Sequence, residues 1–496
     1  MSERVVVVGA GMVGHRFVDE LVRGDREERF AITLVGEEEY EPYNRILLSE
    51  VLAGRADLRA LTLPLPAAER VDFRRGVSAV GIDRDAGEVL LGDGSRTPYE
   101  RLVLATGARA FVPPLDGLES EPRHVHVLRT LDDCRNVAAR AINAKHAVVL
   151  GGGLLGLEAA CGLRRRGVPV TVIDLDSHLM ATQLDGGPAR VLAGRLRALG
   201  VDVLTGVSVA EAISAYDELV AVRLIDGRVL AADLMLVSCG VRANTALAAG
   251  AGLTVDRGIV VDDALTTADS RIHAIGDCAQ PPSGMTGLLA PGWAQASQLA
   301  ATLLGREPLE PTEAAERPEP ITLKAAGVDL VTMGVRPSRA AADDRVLTVS
   351  DPDAGRHVDL VLREGALVGV TVLGFPEVSP ALTLAYDRQT PVPLDPLSLL
   401  VTGGGGAVEE SPSPMRMPGT TTVCRCNGVT KKQIVSAWED GARNVDAVAA
   451  NTRATTGCGG CREVVCGLVD WLNASDPAES VSTAVTERNT PVETTT

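Results

Sequence analysis

The amino-acid sequence predicts an α/β protein with two doubly wound domains, a small α+β domain and a small helical module. A pattern of apolar strand, glycine-rich turn, helix and second strand occurs twice, which is typical of doubly wound nucleotide-binding domains. Short apolar runs between residues 318 and 400 predict the α+β domain. Two closely spaced cysteine pairs near the end of the sequence, followed by a helical pattern at 462–472, predict the module.

The first glycine turn is GAGMVG at residues 9–14, between a β-branched strand and a helix. Glycines there allow a tight turn and let the backbone approach a pyrophosphate, which then lies at the helix N-terminus. Roughly twenty residues later an acidic run follows the second strand, where a carboxylate accepts hydrogen bonds from ribose hydroxyls. The candidate binding residues of this copy are Gly9, Gly11, Gly14, Glu37 and Glu38.

The second glycine turn is GGGLLG at residues 151–156, again between a strand and a helix. The strand that follows ends at Asp174. A carboxylate at this position suits the free 2′-hydroxyl of NADH and repels the 2′-phosphate of NADPH. NADH is therefore the expected cofactor, with NADPH as the alternative, and the candidate binding residues are Gly151, Gly153, Gly156 and Asp174.

Four of the nine cysteines form the pairs Cys424–Cys426 and Cys458–Cys461. Two thiolate pairs with this spacing can hold one metal centre. The spacing alone leaves zinc and a [2Fe–2S] cluster open, because both accept four thiolates. The two dinucleotide-binding patterns favour the cluster, since hydride transfer gives an electron carrier a role. The isolated cysteines are predicted to be buried and apolar in character, and they are Cys134, Cys161, Cys239 and Cys278.

Two further segments resemble the FAD motifs of pyridine-nucleotide flavoprotein reductases. They are RLVLATGARAFVPPLDG (101–117) and RIHAIGDCAQ (271–280). The resemblance implies that the first glycine turn binds FAD and the second binds NADH. It also implies that Thr106 and Gly107 form a turn beside the FAD, and that Asp277 binds its ribityl or pyrophosphate portion.

A closer resemblance covers nearly the whole chain. Four segments are similar to the flavoprotein part of NAD(P)H-dependent assimilatory nitrite reductase large subunits and of nitrate reductase electron-transfer subunits: GMVGHRF (11–17), EPYNRILLSE (41–50), GGGLLGLEAA (151–160) and GLLAPGWAQA (287–296). The cysteine module is similar to the [2Fe–2S] module of the same proteins and of bacterioferritin-associated ferredoxin. By this resemblance Arg45 lies near the FAD, and the four paired cysteines hold a [2Fe–2S] cluster.

The sequence departs from these families in two respects. Related ferredoxin reductases often carry a lysine after the serine of the 41–50 segment, whereas Glu50 follows Ser49 here. A Lys–Glu pair near the flavin would therefore lack its lysine. The sirohaem and [4Fe–4S] half of a nitrite reductase has no counterpart in the sequence, so we expect this chain not to carry out six-electron nitrite reduction by itself.

Six regions, one of them discontinuous, follow from these patterns. A discontinuous FAD-binding domain is predicted at 1–115 and 248–315, with the NAD(P)H-binding domain at 116–247 inserted in it. The remaining predictions are an α+β domain at 318–400, a flexible Gly/Ser/Pro-rich linker at 401–420, a [2Fe–2S]-binding domain at 421–475 and a disordered tail at 476–496.

Composition and charge exclude some partners and locations. The formal net charge of −17 argues against nucleic acid or an anionic membrane as a partner. Charged residues interrupt every apolar run, so no membrane span is predicted. The sequence enters a strand at once, which leaves no room for a secretory signal, and a thiolate cluster favours a reducing compartment. The expected location is the cytoplasm.

The favoured function is an NADH-dependent FAD/[2Fe–2S] oxidoreductase. It would pass electrons from NAD(P)H through FAD and the cluster to a separate assimilatory nitrate or nitrite reductase. The alternatives are an NADH reductase of a small carrier such as ferredoxin or rubredoxin, an iron- or redox-sensing [2Fe–2S] protein, and a zinc-bound structural module. No proton-transfer residue is nominated, because hydride transfer needs orientation and exclusion of water. A homo-oligomer is compatible with the sequence.

Overall fold

The computed structural model describes residues 2–63, 65, 68–119, 122–307, 320–325, 327–389, 391–392, 417–424, 427–457 and 459–475. The chain divides into two compact units, Met1–Gly404 and Gly405–Thr496. Residues 401–416 of the predicted linker and the whole predicted tail, 476–496, lie outside the described residues.

The strands and helices follow one another in the order that two doubly wound domains require. Up to residue 243 they are β1 (Glu3–Val8), α1 (Met12–Gly24), β2 (Phe30–Gly36), α2 (Leu48–Leu52), β3 (Val71–Arg75), β4 (Ala79–Asp83), β5 (Glu88–Leu91), β6 (Arg96–Pro98), β7 (Arg101–Leu104), β8 (Ala108–Ala110), β9 (Val125–Val127), α3 (Leu131–Ala141), β10 (Ala147–Leu150), α4 (Leu154–Arg165), β11 (Val170–Asp174), α5 (Gly186–Ala198), β12 (Val201–Thr205), β13 (Val209–Ala215), β14 (Glu218–Leu224), β15 (Val229–Ala231), β16 (Leu234–Val237) and β17 (Val241–Ala243). After residue 243 they are α6 (Ala246–Gly250), β18 (Ile259–Val260), β19 (Ile272–Ala274), β20 (Ala279–Gln280), α7 (Leu289–Leu303), β21 (Ile321–Ala325), β22 (Val328–Gly334), β23 (Arg345–Asp351), β24 (Arg356–Arg363), β25 (Ala366–Leu373), α8 (Ser379–Arg388), β26 (Thr422–Cys424), β27 (Val429–Thr430), α9 (Lys431–Glu439), α10 (Val445–Thr452) and α11 (Arg462–Ala474).

The first sheet has five parallel strands in the order β19-β7-β1-β2-β3. The last four residues of β1 are buried valines, as expected of a central parallel strand with both faces covered. Because β19 comes after the second sheet in the chain, two separate stretches build this first sheet. The arrangement supports our proposal of a discontinuous domain formed by 1–115 and 248–315.

The second sheet is also parallel and has the order β12-β11-β10-β16-β9. A three-stranded meander, β13-β14-β15, is inserted before β16. The chain leaves the first sheet through β8 and returns through β17, and these two short strands pair antiparallel. Both predicted doubly wound domains are therefore confirmed, and a two-stranded ribbon lies where the chain crosses between them.

The third sheet belongs to the small α+β domain. Its five antiparallel strands have the order β21-β22-β25-β24-β23, and α8 packs against β25. One face buries Met333 and Tyr386 in an apolar cluster. Thr332, Thr371 and Asp359 are in register on neighbouring strands and lie on the opposite face, where they form a buried polar row. The sequence analysis did not predict that row.

The cysteine module is a short hairpin, β26–β27, followed by α9, α10 and α11. Its apolar core includes Cys424, Ile434, Val448, Val465 and Leu468, all of which are buried. Thr430 caps α9 in a reciprocal capping box, which fixes the chain direction as it leaves the hairpin. The prediction of a small helical module is confirmed.

Across the described residues, every helix falls short of the length and hydropathy that a bilayer span needs. The isolated cysteines also match their predicted environment. Cys134, Cys161 and Cys278 are buried and Cys239 is half-buried. Burial raises the pKa of the Cys134, Cys161 and Cys239 thiols to about 11, so these side chains stay neutral near pH 7.

A buried carboxylate at the end of α1 provides a test of this fold. Asp25 has a fully buried side chain that accepts hydrogen bonds from the Arg29 and Phe30 amides, both at 3.1 Å, and from Arg70 Nη2 at 3.1 Å. Asp25→Ala leaves these donors without their acceptor, and we expect the free energy of unfolding to fall by about 3 kcal/mol. Urea unfolding of the full chain, followed by circular dichroism, measures the change.

The matched control is Asp72→Ala. The Asp72 carboxylate is 57% exposed and forms a surface ion pair with Arg74, so we expect a change below about 0.5 kcal/mol. Equal losses in the two variants would contradict the structural role of Asp25.

Candidate cofactor sites

A cavity of about 880 Å³ lies at the carboxyl ends of the strands of the first parallel sheet. This is the edge at which open α/β sheets bind ligands, and the volume falls within the range of about 300–1,000 Å³ that is common for ligand sites. The structure brings eight of the predicted residues to the lining: Gly9, Gly11, Glu37, Glu38, Arg45, Thr106, Gly107 and Asp277.

The first glycine turn is shaped by two close backbone contacts. Gly9 has a φ of +116°, and a Cβ there would lie 2.1 Å from the carbonyl oxygen of Ala105. A Cβ on Gly14 would lie 2.0 Å from the carbonyl oxygen of Gly9, so α1 packs directly on the turn. Gly11, at the beginning of α1, faces open space instead. The turn therefore leaves a helix N-terminus accessible to a phosphate, which fits a dinucleotide.

The two acidic candidates after β2 differ in their surroundings. Glu38 forms an ion pair with Arg45 Nη2 and accepts a hydrogen bond of 2.7 Å from the Tyr43 hydroxyl. Burial raises the pKa of Tyr43, so its phenol stays protonated and donates. Glu37 is exposed and lines the cavity, where its side chain is accessible to a ligand. Arg45 Nε is buried with no hydrogen-bond partner among the described residues, which leaves a donor beside the cavity.

The turn at Thr106 and Gly107 is held by a residue that the sequence analysis missed. Asn244 donates its side-chain amide to the Thr106 carbonyl at 2.9 Å and its backbone N–H to the Gly107 carbonyl at 2.9 Å. The Thr106 hydroxyl donates to the Asn244 carbonyl at 2.8 Å. Asn244 follows β17, so the return crossover fixes this wall of the cavity. No motif in the sequence indicates that role.

Asp277 lies beside a second residue that the sequence analysis missed. Arg129 Nη2 donates to Asp277 Oδ2 at 2.7 Å, and Arg129 Nε donates to the Ala108 carbonyl at 3.0 Å. Both side chains line the cavity. A carboxylate acceptor and a guanidinium donor therefore lie side by side, and this pair fits a ligand that carries both hydroxyl and phosphate groups.

The second glycine turn repeats the geometry of the first. Gly151 has a φ of +113°, and a Cβ there would lie 2.3 Å from the carbonyl oxygen of Ser238. A Cβ on Gly156 would lie 2.1 Å from the carbonyl oxygen of Gly151, while Gly153 at the beginning of α4 faces open space. This turn fits a dinucleotide for the same reasons as the first.

Asp174, at the end of β11, holds the second glycine turn in place. Its Oδ2 accepts the Gly152 N–H at 2.6 Å and its Oδ1 accepts the Asp176 N–H at 2.9 Å. Partial burial raises the pKa of this carboxyl group, and the two amide hydrogen bonds oppose that shift. Because each carboxylate oxygen can accept a second hydrogen bond, ribose hydroxyls can still bind there.

A buried carboxylate near the second site connects three elements of the first unit. Glu158 on α4 accepts a hydrogen bond of 2.6 Å from the Ser49 hydroxyl on α2 and one of 3.1 Å from the Lys324 N–H on β21. Burial raises the pKa of Glu158. Glu50, which stands where related reductases often have lysine, pairs with Arg55 at 2.6 Å. Among the described contacts, the Glu158 carboxylate therefore accepts hydrogen bonds from a hydroxyl and a backbone amide and is not part of a Lys–Glu pair with residue 50.

The cysteine module brings one member of each cysteine pair into a shared core. Cys424 in β26 is fully buried, and Cys461, at the beginning of α11, is 8% exposed. A helix N-terminus favours a thiolate, which suits a metal ligand at Cys461. Cys426 and Cys458 lie outside the described residues. Among the residues that are described, no three metal-ligating side chains converge, so the four-thiolate site stays a prediction.

Comparison with known proteins decides the family. The sequence pattern of the pyridine nucleotide-disulphide oxidoreductases matches residues 3–300. The chain belongs to this family. Residues 422–471 match the BFD-like [2Fe-2S] binding domain. These matches confirm the fold class, the oxidoreductase activity and the predicted FAD, NAD(P)H and [2Fe–2S] cofactors of this flavoprotein.

Two curated relatives align with almost the entire oxidoreductase chain. It is 34% identical to the nitrite reductase [NAD(P)H] large subunit of Klebsiella oxytoca, over 96% of this chain and 49% of that protein. It is 32% identical to the assimilatory nitrate reductase electron transfer subunit of Bacillus subtilis, over 97% of this chain and 61% of that protein. The chain thus spans 49% and 61% of the length of these two relatives, and the predicted resemblance to their family is confirmed.

A solved structure shows the same fold. The covalent complex of putidaredoxin reductase and putidaredoxin superposes with a TM-score of 0.70 and 28% identity, over 80% of this chain and 95% of that chain. The similarity agrees with the two parallel sheets and the α+β domain of the flavoprotein unit.

The glycine turns give a test that separates the two nucleotide sites. Gly9→Ala puts a methyl group against the Ala105 carbonyl, and we expect the purified protein to contain less than about one tenth of the wild-type FAD. Gly151→Ala makes the same clash with Ser238, and we expect it to keep FAD but bind NAD⁺ at least about tenfold more weakly, a loss of about 1.4 kcal/mol. The flavin-to-protein absorbance ratio and an NAD⁺ titration of flavin fluorescence measure the two effects.

The control is Gly194→Ala on α5, where a Cβ meets nothing within 4 Å. This variant should keep both cofactors, because alanine is favoured over glycine in a helix interior. The assignment of the turns would be wrong if Gly9→Ala kept its FAD and Gly151→Ala lost it.

Proposed function

We propose that this chain is an NADH-dependent electron-transfer flavoprotein whose FAD and [2Fe–2S] cluster supply electrons to a separate assimilatory nitrate or nitrite reductase. The observation that carries the proposal is the cavity at the first sheet. It gathers eight of the nine candidate FAD residues, all but Gly14, and Leu154, the first residue of the helix after the second glycine turn, lines it as well. This position of Leu154 supports the proposal that the two dinucleotide sites open onto each other within the first unit, as hydride transfer requires.

We assign the following roles to the site residues. Gly9, Gly11 and the N-terminus of α1 bind the FAD pyrophosphate, and Glu37 accepts hydrogen bonds from its ribose. Arg45 donates to the flavin nucleotide, and the turn at Thr106 and Gly107 orients it. Asp277 binds the ribityl or pyrophosphate portion with Arg129 beside it. Gly14 packs α1 on the turn. Glu38 positions Arg45.

The second site has the corresponding roles for NADH. Gly151, Gly153 and the N-terminus of α4 bind its pyrophosphate, and Gly156 packs α4 on the turn. Asp174 accepts hydrogen bonds from the adenosine ribose, which favours NADH over NADPH because a 2′-phosphate would be repelled.

FAD and the cluster have different parts in the proposed electron transfer. Bound at the first site, FAD would supply acceptance of a hydride from the nicotinamide and release of single electrons, and the cluster would supply one-electron transfer. The protein's part is to hold the nucleotides in line and to keep water from the nicotinamide side of the cavity. We propose Cys424, Cys426, Cys458 and Cys461 as the cluster ligands.

The nature of the acceptor rests on the relatives. Their printed names are those of a nitrite reductase large subunit and of a nitrate reductase electron transfer subunit. The similarity to putidaredoxin reductase supports a second candidate, an NADH reductase of a small iron–sulfur carrier. We also propose a cytoplasmic location, because free cysteines and a thiolate cluster favour a reducing compartment, and no nucleic-acid partner, because the net charge is −17.

An anaerobic NADH titration of the iron-replete full chain tests the electron path. We expect the flavin and cluster absorption bands both to bleach, because the flavin should pass single electrons to the cluster. Cys424→Ser should remove the cluster band and leave flavin reduction intact, whereas Cys466→Ser, a half-exposed cysteine of the same module, should behave like the wild type. Bleaching of the flavin alone favours a sensor. A wild-type protein that contains zinc and no cluster band refutes the proposal.

A reconstitution assay distinguishes the two acceptors. NADH-dependent nitrate or nitrite reduction should appear when this chain is mixed with a purified assimilatory reductase that lacks its own electron donor. Rapid reduction of a ferredoxin, with no turnover of either reductase, would favour the second candidate.

A further inference from the structure

The cysteine module contains an amide side chain that reaches both cysteine-bearing segments. Asn427 lies in the turn after the first cysteine pair and is half-buried. Its Nδ2 is 3.7 Å from Cys424 Sγ, which is hydrogen-bonding distance for a sulfur acceptor. The same Nδ2 donates to the Arg453 carbonyl at 2.7 Å and to the Thr456 hydroxyl at 3.3 Å. One amide group thus connects the two segments that carry the cysteines.

The second segment has two residues in an uncommon backbone conformation. Arg453 has a φ of +65° and Thr455 a φ of +71°, in the left-handed region that side chains other than glycine rarely adopt. Conformations of this kind persist where the surrounding structure fixes them. Arg453 is the C-cap residue of α10 and donates its backbone N–H to the Ala449 carbonyl at 2.7 Å. The hydrogen bond from Asn427 to the Arg453 carbonyl adds a second contact at this position, five residues before Cys458.

Three acceptors lie within hydrogen-bonding distance of the Asn427 amide nitrogen among the described contacts. The shortest of these contacts, to the Arg453 carbonyl, has the ordinary length of an N–H···O bond. Cys424 Sγ and the Thr456 hydroxyl are the other two acceptors, and an amide N–H can be shared between two acceptors. In the holoprotein the sulfur of Cys424 is a thiolate ligand, and a thiolate accepts a stronger hydrogen bond than a thiol because it carries the charge.

We infer that Asn427 is a positioning residue that sets the reduction potential of the cluster. Its N–H group stabilises the negative charge on the Cys424 sulfur, and that charge grows when the cluster gains an electron. Hydrogen bonds to ligand sulfurs are one of the means by which proteins tune cluster potentials. This inference rests on the proposed function, because it takes Cys424, Cys426, Cys458 and Cys461 as the cluster ligands.

The test is a reductive titration of the full chain, with the cluster followed by electron paramagnetic resonance. Asn427→Ala removes the donor, and Asn427→Asp removes it while keeping the shape and adding a negative charge. We expect the ratio of oxidised to reduced cluster at a fixed potential to rise about tenfold in Asn427→Ala, which is a shift of 59 mV for a one-electron couple. The shift should be larger in Asn427→Asp.

Asn451→Asp is the control for charge. Asn451 lies exposed on α10 and donates its side-chain amide to the Ala447 carbonyl at 3.1 Å, so the same substitution there should leave the potential unchanged. Iron content per chain is measured in every variant. If Asn427→Ala retains too little cluster to titrate, Asn427→Ser, which keeps one hydroxyl donor, should recover iron and give a potential between those of the wild type and Asn427→Asp.

Two failures are distinguishable. A wild-type chain without a cluster signal refutes the proposed function before any variant is compared. The inference is overturned if the wild-type chain has a normal cluster and the potentials of Asn427→Ala and Asn427→Asp are unchanged. Asn427 would then only connect two loops.

Discussion

Close backbone contact at two glycines determines where both nucleotide sites lie. At Gly9 and Gly151 the turn passes so near the neighbouring crossover segment that any Cβ would overlap a carbonyl group. The helix after each turn then packs on the same glycine through Gly14 or Gly156. Because each helix is fixed at its first turn, its N-terminus stays open towards the edge of the sheet, and the polar side chains at the strand ends surround that point.

This constraint is local, which is why the sequence could predict it. Glycine at 9, 11 and 14, between an apolar strand and a helix, specifies a backbone conformation with no information from distant residues. The two parallel sheets and their cofactors could therefore be predicted. Arg129 and Asn244 could not, because their roles depend on the crossover segments of two domains meeting beside the cavity. A polar residue in a crossover has no periodic pattern that indicates its partner.

The sequence motif does not distinguish the roles of the acidic residues at the strand ends. The sequence treats Glu37, Glu38 and Asp174 as equivalent acceptors for ribose. The structure separates them, since Glu38 is held by Arg45 and Asp174 accepts two backbone amides. Asp174 shapes the second glycine turn and, in our proposal, also binds ribose. The proposed preference for NADH would therefore be coupled to the conformation of the turn itself.

The two units differ in which residue types they place at positive φ. In the first unit the left-handed positions of the nucleotide turns are glycines, and the sequence shows them. In the cysteine module the left-handed positions include Arg453 and Thr455. The sequence alone does not indicate a positive φ at residues of these types. Each such residue costs roughly 1–2 kcal/mol and needs compensating contacts. The Asn427 hydrogen bonds are contacts of this kind, so the amide that holds the loop also lies at the sulfur of Cys424. By our inference, this single side chain links the shape of the loop to the electrostatics of the proposed ligand Cys424.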